Sequence, residues 1–568
     1  MFKSGIAGSD GIGIGKAFII KSGGAEWEEK SSLSAAEETA RFDAAVGAFV
    51  EKTTVMADAM RENVGEKESE ILMGHILMIS DPSMTDEIRN KIGGGLTAEA
   101  ASAEVLDMFA MIFEGTDDEL TKQRAADIRD IKTRLTAILC GAEETDISAL
   151  PPDSVIVAHD LTPSMTAGIN KQNVVAIVAE TGGKTSHSAI LARALEIPAV
   201  LSIDGFTELV KDGDSLIVDG TRGEVIVGPS AEEQDKYTAF KKKYDNEKRE
   251  LLKFKDKPTV TADGGEVELV CNIGNPEDCA AVVENSGEGI GLFRTEFLYM
   301  NSSEAPDEET QFEAYKKAAM TMKGKPVIIR TLDVGGDKDI PYLNMEKEEN
   351  PFMGFRAVRY CVAHTELYKT QLRALLRAGA YGDIKIMIPL VTCVDELRAV
   401  KAMIKSIMKD LDAEGKEYNK NIEVGVMIET PAAAVIADIL AKEADFFSIG
   451  TNDLTGYTMA VDRGNSKVAY LYSAYNLSVI RSIKRIIECG LAEGKKVGMC
   501  GEAAADPLLA PLLISFGLSE YSVSPSSVLK TRRTLSLWSK AEADKVANEA
   551  LACATEEEIR EVLTKHAK

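Results

Sequence analysis

Apolar residues recur along the chain at two periods, and the changes of period divide it into segments. At the N-terminus a glycine-rich stretch, Gly5 to Gly15, leads into Lys16-Ala17-Phe18-Ile19-Ile20, which reads as a turn followed by a strand. From about residue 33 to 145 the period is helical. Ser34-Ala35-Ala36-Glu37 has the form of a capping box, and Phe42, Ala45, Val46 and Phe49 then fall on one face. A second apolar helix, near Glu70 to Met78, is expected to stop before Asp81-Pro82, and two more follow around 98–114 and 118–141. Short β-branched runs return between about 150 and 228: Ser154–Ala158, Val174–Val178, Ala199–Leu201, Ser215–Gly220 and Glu224–Val227. A charged, lysine-rich stretch from Glu232 to Lys257 predicts a helical linker.

The last 300 or so residues repeat an apolar strand followed by a polar loop and a helical stretch. Eight strands are predicted: Glu268–Asn272, Ile290–Arg294, Val327–Leu332, Ile384–Pro389, Val424–Glu429, Phe446–Gly450, Val497–Gly501 and Tyr521–Val523. Strand–helix alternation of this length predicts a (β/α)8 TIM barrel. The strand near 16–20 is assigned to the α/β set that follows the helices, which makes the helical segment an insertion. The expected organisation is an α/β domain from 1–22 plus 146–230, an all-helical subdomain at 23–145, a linker at 231–258 and a barrel at 259–568.

Composition narrows the function. A chain of 568 residues with 45% hydrophobic and 27% charged residues is an ordinary globular one of three or four domains. No run of ~18 uncharged apolar residues predicts a membrane span, and the first residues lack the apolar core of a signal peptide. Eight scattered cysteines without a C-x-x-C pair predict reduced thiols in a cytoplasm. The net charge of −26 argues against nucleic acid; it fits either a basic protein partner or simple solubility. The glycines at 11, 13 and 15 are not spaced as a dinucleotide fingerprint.

Candidate chemistry lies in two places. Gly182-Gly183-Lys184-Thr185-Ser186-His187-Ser188-Ala189 precedes a helical run, with Thr185 or Ser186 as N-cap. A histidine in the first turn there stands beside free N–H groups that favour an anion, so it is either a nucleophile toward phosphorus or a packing residue next to a cap. The second place is the C-terminal ends of the barrel strands, where such barrels carry their chemistry. Arg294, Arg330, Glu429, Asn452, Asp453 and Cys500 fall at strand ends, with Arg356 and Arg463 in the loops. Converging arginines bind carboxylate or phosphate, two hard carboxylates suit Mg²⁺, and a thiol can move a proton.

These segments resemble one family. Gly-Gly-Lys-Thr-Ser-His-Ser-Ala-Ile-Leu-Ala-Arg is similar to the phosphohistidine segment of the phosphoenolpyruvate-utilising enzymes. Gly-Leu-Phe-Arg-Thr-Glu-Phe-Leu-Tyr-Met, Arg-Thr-Leu-Asp-Val-Gly-Gly-Asp-Lys, Glu-Glu-Asn-Pro-Phe-Met-Gly-Phe-Arg-Ala-Val-Arg and Gly-Thr-Asn-Asp-Leu-Thr resemble that family's barrel motifs. The resemblance implies a swivelling α/β phosphohistidine domain, with His187 accepting phosphate on Nε2 from phosphoenolpyruvate. It implies substrate contacts from Arg294, Arg330, Arg356, Asn452, Asp453 and Arg463, Mg²⁺ on Glu429 and Asp453, and Cys500 as proton donor to the enolate carbon. Thr166 is expected to bond the other imidazole nitrogen.

About 180 residues precede His187, too few for the nucleotide-grasp domain of the family's dikinase and synthase branches. The expectation is therefore the branch that releases pyruvate and passes phosphate to a small histidine-containing phosphocarrier protein, the first step of the sugar phosphotransferase system. The helical insertion would dock that carrier, and the chain would form a homodimer through the barrel. A dikinase-like enzyme with its nucleotide domain on a separate chain, and a regulatory scaffold that no longer turns over, are the alternatives. Lys184 and Gly456 stand where arginine and glutamine are common, and Asp10 where proline is.

Overall fold

The valine- and isoleucine-rich runs of the first 230 residues pair into one eight-stranded sheet in a computed structural model of the chain. The strands are β1 (Phe2–Ser4), β2 (Ile6–Ser9), β3 (Ile12–Ile20), β4 (Ser154–Ala158), β5 (Val174–Ala179), β6 (Ala199–Leu201), β7 (Ser215–Asp219) and β8 (Glu224–Val227). Their order is β1-β8-β7-β3-β4-β5-β6-β2. The middle is parallel: Lys16 pairs with Ser154 across β3 and β4, and Ile177 with Ala199 across β5 and β6. The structure describes the chain except residues 21–26, 64–65, 117–118, 143–146, 163, 166–168, 184–185, 301, 303 and 336–339, and except the side chains of 62–63, 66–68, 119–123, 148 and 187.

The glycine-rich start is sheet, where the sequence predicts a turn. Gly13 and Gly15 lie inside β3 because neighbouring backbone crosses them closely. A Cβ on Gly13 would stand 2.3 Å from the Val175 carbonyl oxygen, and one on Gly15 2.1 Å from that of Asp153. The glycines make space for close strand packing, so a composition that signals a turn is compatible with a buried strand.

Among the described residues between β3 and β4 are five α-helices: α1 (Ala35–Asn63), α2 (Glu66–Ile79), α3 (Pro82–Gly93), α4 (Ala98–Glu114) and α5 (Glu119–Leu139). The capping box at the start of α1 is present: Ser34 N–H donates to Glu37 Oε2 at 2.9 Å and Glu37 N–H to Ser34 Oγ at 3.3 Å. Phe42, Ala45 and Phe49 are buried together with Ile88, Leu106, Ile128 and Leu135. The sequence pattern passes over α3. Asp81 stops α2 and at once caps α3, accepting from Ser83 N–H at 2.7 Å with Pro82 in the first turn. Met84, Ile88 and Ile92 supply its buried face.

The chain divides into two compact units, Met1–Lys248 and Arg249–Lys568. A single helix, Ala231–Leu252, runs through the charged stretch, and the division falls within it. Among the described residues no helix is long and apolar enough to cross a membrane.

The second unit is a closed parallel barrel of β9 (Glu268–Ile273), β10 (Ile290–Arg294), β11 (Val327–Arg330), β12 (Ile384–Ile388), β13 (Val424–Ile428), β14 (Phe446–Ile449), β15 (Lys496–Met499) and β16 (Glu520–Val523). Residues alternate in and out along each strand. Leu292, Ile328, Met387, Met427, Phe446 and Cys500 form the apolar interior. Their neighbours on the strands, such as Phe293, Ile329 and Ile428, face the surrounding helices. The fold is thus α/β and multidomain, with a helical insertion in the first sheet and a (β/α)8 barrel.

Gly15→Ala is expected to destabilise the folded chain by about 1–3 kcal/mol, because the carbonyl it meets belongs to the backbone. Gly47→Ala, in exposed helix α1 with nothing within 4 Å, is expected to stabilise it by roughly 0.5–1 kcal/mol. Urea denaturation of both variants against the parent checks the pair.

Candidate active site

In the first unit the helix His187–Ala194 begins at the predicted histidine. Ser186 is the N-cap: its hydroxyl accepts from Ala189 N–H at 3.3 Å and donates to the Gly183 carbonyl at 2.8 Å. Lys184, Thr185, Thr166 and the His187 side chain lie outside the described residues. Gly182 has φ of +97°, and a Cβ there would stand 2.9 Å from Ser186 Oγ. The first glycine therefore has a structural duty toward the cap, while Gly183 faces open space. Ser188 is buried and donates toward Asp160 Oδ1 at 3.2 Å and the Leu161 carbonyl at 3.3 Å.

In the second unit the period-two alternation delivers side chains to the barrel mouth. Arg294, Arg330 and Glu429 stand two residues beyond the inward-facing Leu292, Ile328 and Met427, so they continue the same rows past the apolar layer. The mouth is a cavity of about 380 Å³. Arg294, Arg330, Arg356, Glu429, Asn452, Asp453, Arg463 and Cys500 all line it. Gly336, Asp337 and Lys338 of the third strand's motif lie outside the described residues.

The buried arginines are held by carboxylates. Asp333 Oδ2 is 3.1 Å from Arg330, and Asp333 Oδ1 accepts from Arg356 at 2.9 Å. Glu296 also pairs with Arg330, and Asp453 lies 3.5 Å from Arg356. Burial works against the charge of both arginines, but these acids outweigh it and hold both above the ordinary arginine range. Arg356 is fixed further by its backbone. Ala357 has φ of +51°, an uncommon conformation for alanine, and a Cβ on Gly335 would meet Arg356 Cβ at 2.5 Å. Asn452 Oδ1 accepts from Glu502 N–H at 3.4 Å, and the Asn452 backbone carbonyl accepts from the Tyr472 hydroxyl at 3.0 Å.

Glu429 is buried, and Leu390, itself at φ of +53°, donates its N–H to Glu429 Oε1 at 2.6 Å. Burial, with Asp453 and Asp333 nearby, pushes this carboxyl up to about 8 against the opposing pull of Arg330. Burial likewise pushes the Cys500 thiol up to about 11, against the charges of Arg330 and Arg294. The thiol thus keeps its proton at neutral pH and can donate it.

The donor set fits a hard divalent cation. Among the described residues no cluster of three His, Cys, Asp or Glu ligands is present. Mg²⁺ typically takes one or two carboxylates and completes its shell with water and substrate oxygen. Glu429 and Asp453 both line the cavity, and the upward shift of Glu429 comes first from burial and then from the negative charge of Asp453 and Asp333, which a cation would neutralise.

Glu296, Asp333 and Glu502 also line the cavity but were not singled out from sequence. Glu296 and Asp333 stand two and three residues beyond Arg294 and Arg330. The available signal was an acid close in sequence to a strand-end arginine.

Three family models match the chain: "PEP-utilising enzyme, N-terminal" over 4–124, "PEP-utilising enzyme, mobile domain" over 150–223 and "PEP-utilising enzyme, PEP-binding domain" over 248–539. A phosphoenolpyruvate-protein phosphotransferase of Staphylococcus epidermidis is 45% identical over 566 residues, covering 99% of each chain. One of Streptococcus equinus is 46% identical over 563 residues, covering 98% of each. The NMR solution structure of an Enzyme I protein (nEIt) is 36% identical, covering 43% of this chain and 99% of that one, with a TM-score of 0.38.

Glu429 sets a pH dependence. Its folded value lies above the 4.5 of the unfolded chain, so the folded state holds a proton that the unfolded state releases between 4.5 and about 8. The associated stability is fully present below 4.5 and is lost as pH rises through about 8. In metal-free buffer, Glu429→Gln is therefore expected to gain on the parent by more than about 1 kcal/mol from about pH 5 to about pH 8. Urea midpoints at the two pH values measure this, and a constant difference would contradict it.

Proposed function

The chain belongs to the phosphoenolpyruvate-utilising enzyme family, and on that premise we propose that it transfers the phosphoryl group of phosphoenolpyruvate to its own His187 and then to a histidine of a small phosphocarrier protein, releasing pyruvate. The observation that carries this reading is the convergence of four arginines, an asparagine, a thiol and five carboxylates, Glu429 and Asp453 among them, on one barrel-mouth cavity. Its substrate must combine phosphate with carboxylate and leave behind a carbon that needs a proton.

Each group has a role in that reaction. Arg294, Arg330, Arg356 and Arg463 bind the phosphate and carboxylate, taking up charge that Glu296 and Asp333 balance in the free protein. Asn452 orients the substrate. Glu429 and Asp453 would hold Mg²⁺, which when bound neutralises charge on the transferring phosphoryl group. The neutral His187 imidazole attacks phosphorus through Nε2, with the start of its helix receiving phosphoryl oxygens. As the N–P bond forms, the bond from phosphorus to the enol oxygen breaks. The enolate electron pair closes to a carbonyl, and its carbon takes the Cys500 proton; solvent restores the thiol.

His187 has to meet two partners, the substrate and the carrier. This favours a swivelling phosphohistidine domain, with the segment 231–258 as the linker whose flanks bend. The inserted helical subdomain at 23–145 is the surface we assign to the carrier, and the net charge of −26 suits a basic one. A cytoplasmic homodimer through the barrel completes the proposal.

Radiolabelled phosphoenolpyruvate with Mg²⁺ should leave acid-labile, base-stable label on the chain and none on His187→Ala. Label persisting on that variant would remove the assignment. Cys500→Ala should bind phosphoenolpyruvate yet release pyruvate on the order of 100-fold more slowly, as loss of a general acid requires. A stopped-flow pyruvate assay reads that outcome.

A further inference from the structure

Within the first unit one buried side chain of the helical insertion reaches into the loop that supports the acceptor helix. Asp130, on α5, accepts the Ser164 hydroxyl at 2.7 Å and the Ser164 N–H at 3.3 Å. Asp130 and Ser164 are both buried. Thr162 Oγ1 lies 2.9 Å from Ser164 Oγ and accepts from Met165 N–H at 3.4 Å. Four and three residues before Ser164, at Asp160 and Leu161, the same loop is bound from the other side. Ser188, the residue after His187, donates toward Asp160 Oδ1 and the Leu161 carbonyl. The loop is thus suspended between a carboxylate of the helical insertion and the first turn of the helix that begins at His187.

Asp130 lies beside a buried histidine of α2. His75, fully buried, stands between two carboxylates, with Nε2 3.5 Å from Asp127 and Nδ1 3.7 Å from Asp130. Arg124 lies 3.6 Å from Asp127. A carboxylate buried beside an imidazole and bonded twice to one serine has little freedom to turn. It is a rigid support, delivered by an element outside the sheet that carries the histidine.

We propose that Asp130 is a positioning residue for phosphoryl transfer: through Ser164 it fixes the loop that holds the first turn of the His187 helix. The helical insertion then sets the aim of the acceptor in addition to any docking role. The proposal rests on the reading of His187 as acceptor. It makes no contact with substrate part of Asp130's task. Its effect is on how often the imidazole occupies the geometry from which it attacks.

The test uses the full chain with Mg²⁺ and phosphoenolpyruvate in single-turnover quench, following phosphohistidine formation in the parent, Asp130→Ala, Ser164→Ala and the double variant. Both single variants should slow the step by about 10-fold, and the double should be no slower than the slower single, since the bond from the Ser164 hydroxyl to Asp130 is lost in all three. Ser164→Ala removes only a hydroxyl, so it decides the matter if Asp130→Ala fails to fold. Nitrogen-15 shifts of the His187 ring, assigned with His187→Gln, should move in each variant, and phosphoenolpyruvate affinity should not. Parent-like rates and shifts in folded Ser164→Ala, or additive losses in the double variant, would overturn the proposal. Absence of phosphohistidine in the parent would instead remove the acceptor reading, a result distinct from both.

Discussion

Asp333 stands between two buried arginines, 3.1 Å from Arg330 and 2.9 Å from Arg356, and the barrel mouth is arranged around that bridge. A guanidinium taken out of water costs several kcal/mol unless an opposite charge comes with it. The chain meets this requirement with Asp333 and Glu296, and adds Asp453 at 3.5 Å from Arg356. The result is a cavity whose cations are in place before any ligand arrives. An anion that enters finds donors already oriented, so less of its binding energy goes into ordering side chains. Leaving an acid out of the web would cost on the order of 3–5 kcal/mol, because a buried charge would lose its partner.

The same principle of prior placement recurs in the first unit with hydrogen bonds in place of ion pairs. Ser186 caps the helix that starts at His187, and Gly182 leaves room for that cap. Ser188 ties the first turn to Asp160 and Leu161, and Asp130 ties the far side of that loop to the helical insertion. On the proposed reading, both sites put a reactive group at the end of a rigid element and brace that element from a neighbour. In the barrel the rigid elements are strands; in the sheet domain the element is a short helix with its orphan N–H groups directed outward.

The barrel was legible in the sequence because its strands are buried on both faces and separated by polar loops. Observed ends such as Ile290–Arg294 and Val424–Ile428 fall within a residue or two of expectation. Arg294, Arg330, Glu429 and Cys500 were legible for the same reason: a charged or thiol residue ending an apolar run has few places to point except the mouth. Helix α3 is not legible in the sequence, since Asp81-Pro82 signals an end and a beginning equally well. The N-terminal glycines misled because Gly13 and Gly15 answer to a backbone that passes 2.1–2.3 Å from their missing Cβ atoms, which composition does not reveal. Asp333 and Glu296 escaped notice because their task, holding arginines, depends on distances across the mouth.

The central claim is that the barrel-mouth cavity receives phosphoenolpyruvate through its arginines. The most direct measurement is a crystal structure of Cys500→Ala grown with phosphoenolpyruvate and Mg²⁺, in which binding persists while turnover is slowed. The account predicts phosphate and carboxylate density within reach of Arg294, Arg330, Arg356 and Arg463, with metal density against Glu429 and Asp453. Ligand density outside this cavity, or phosphoenolpyruvate bound without touching Arg294 and Arg330, would contradict it.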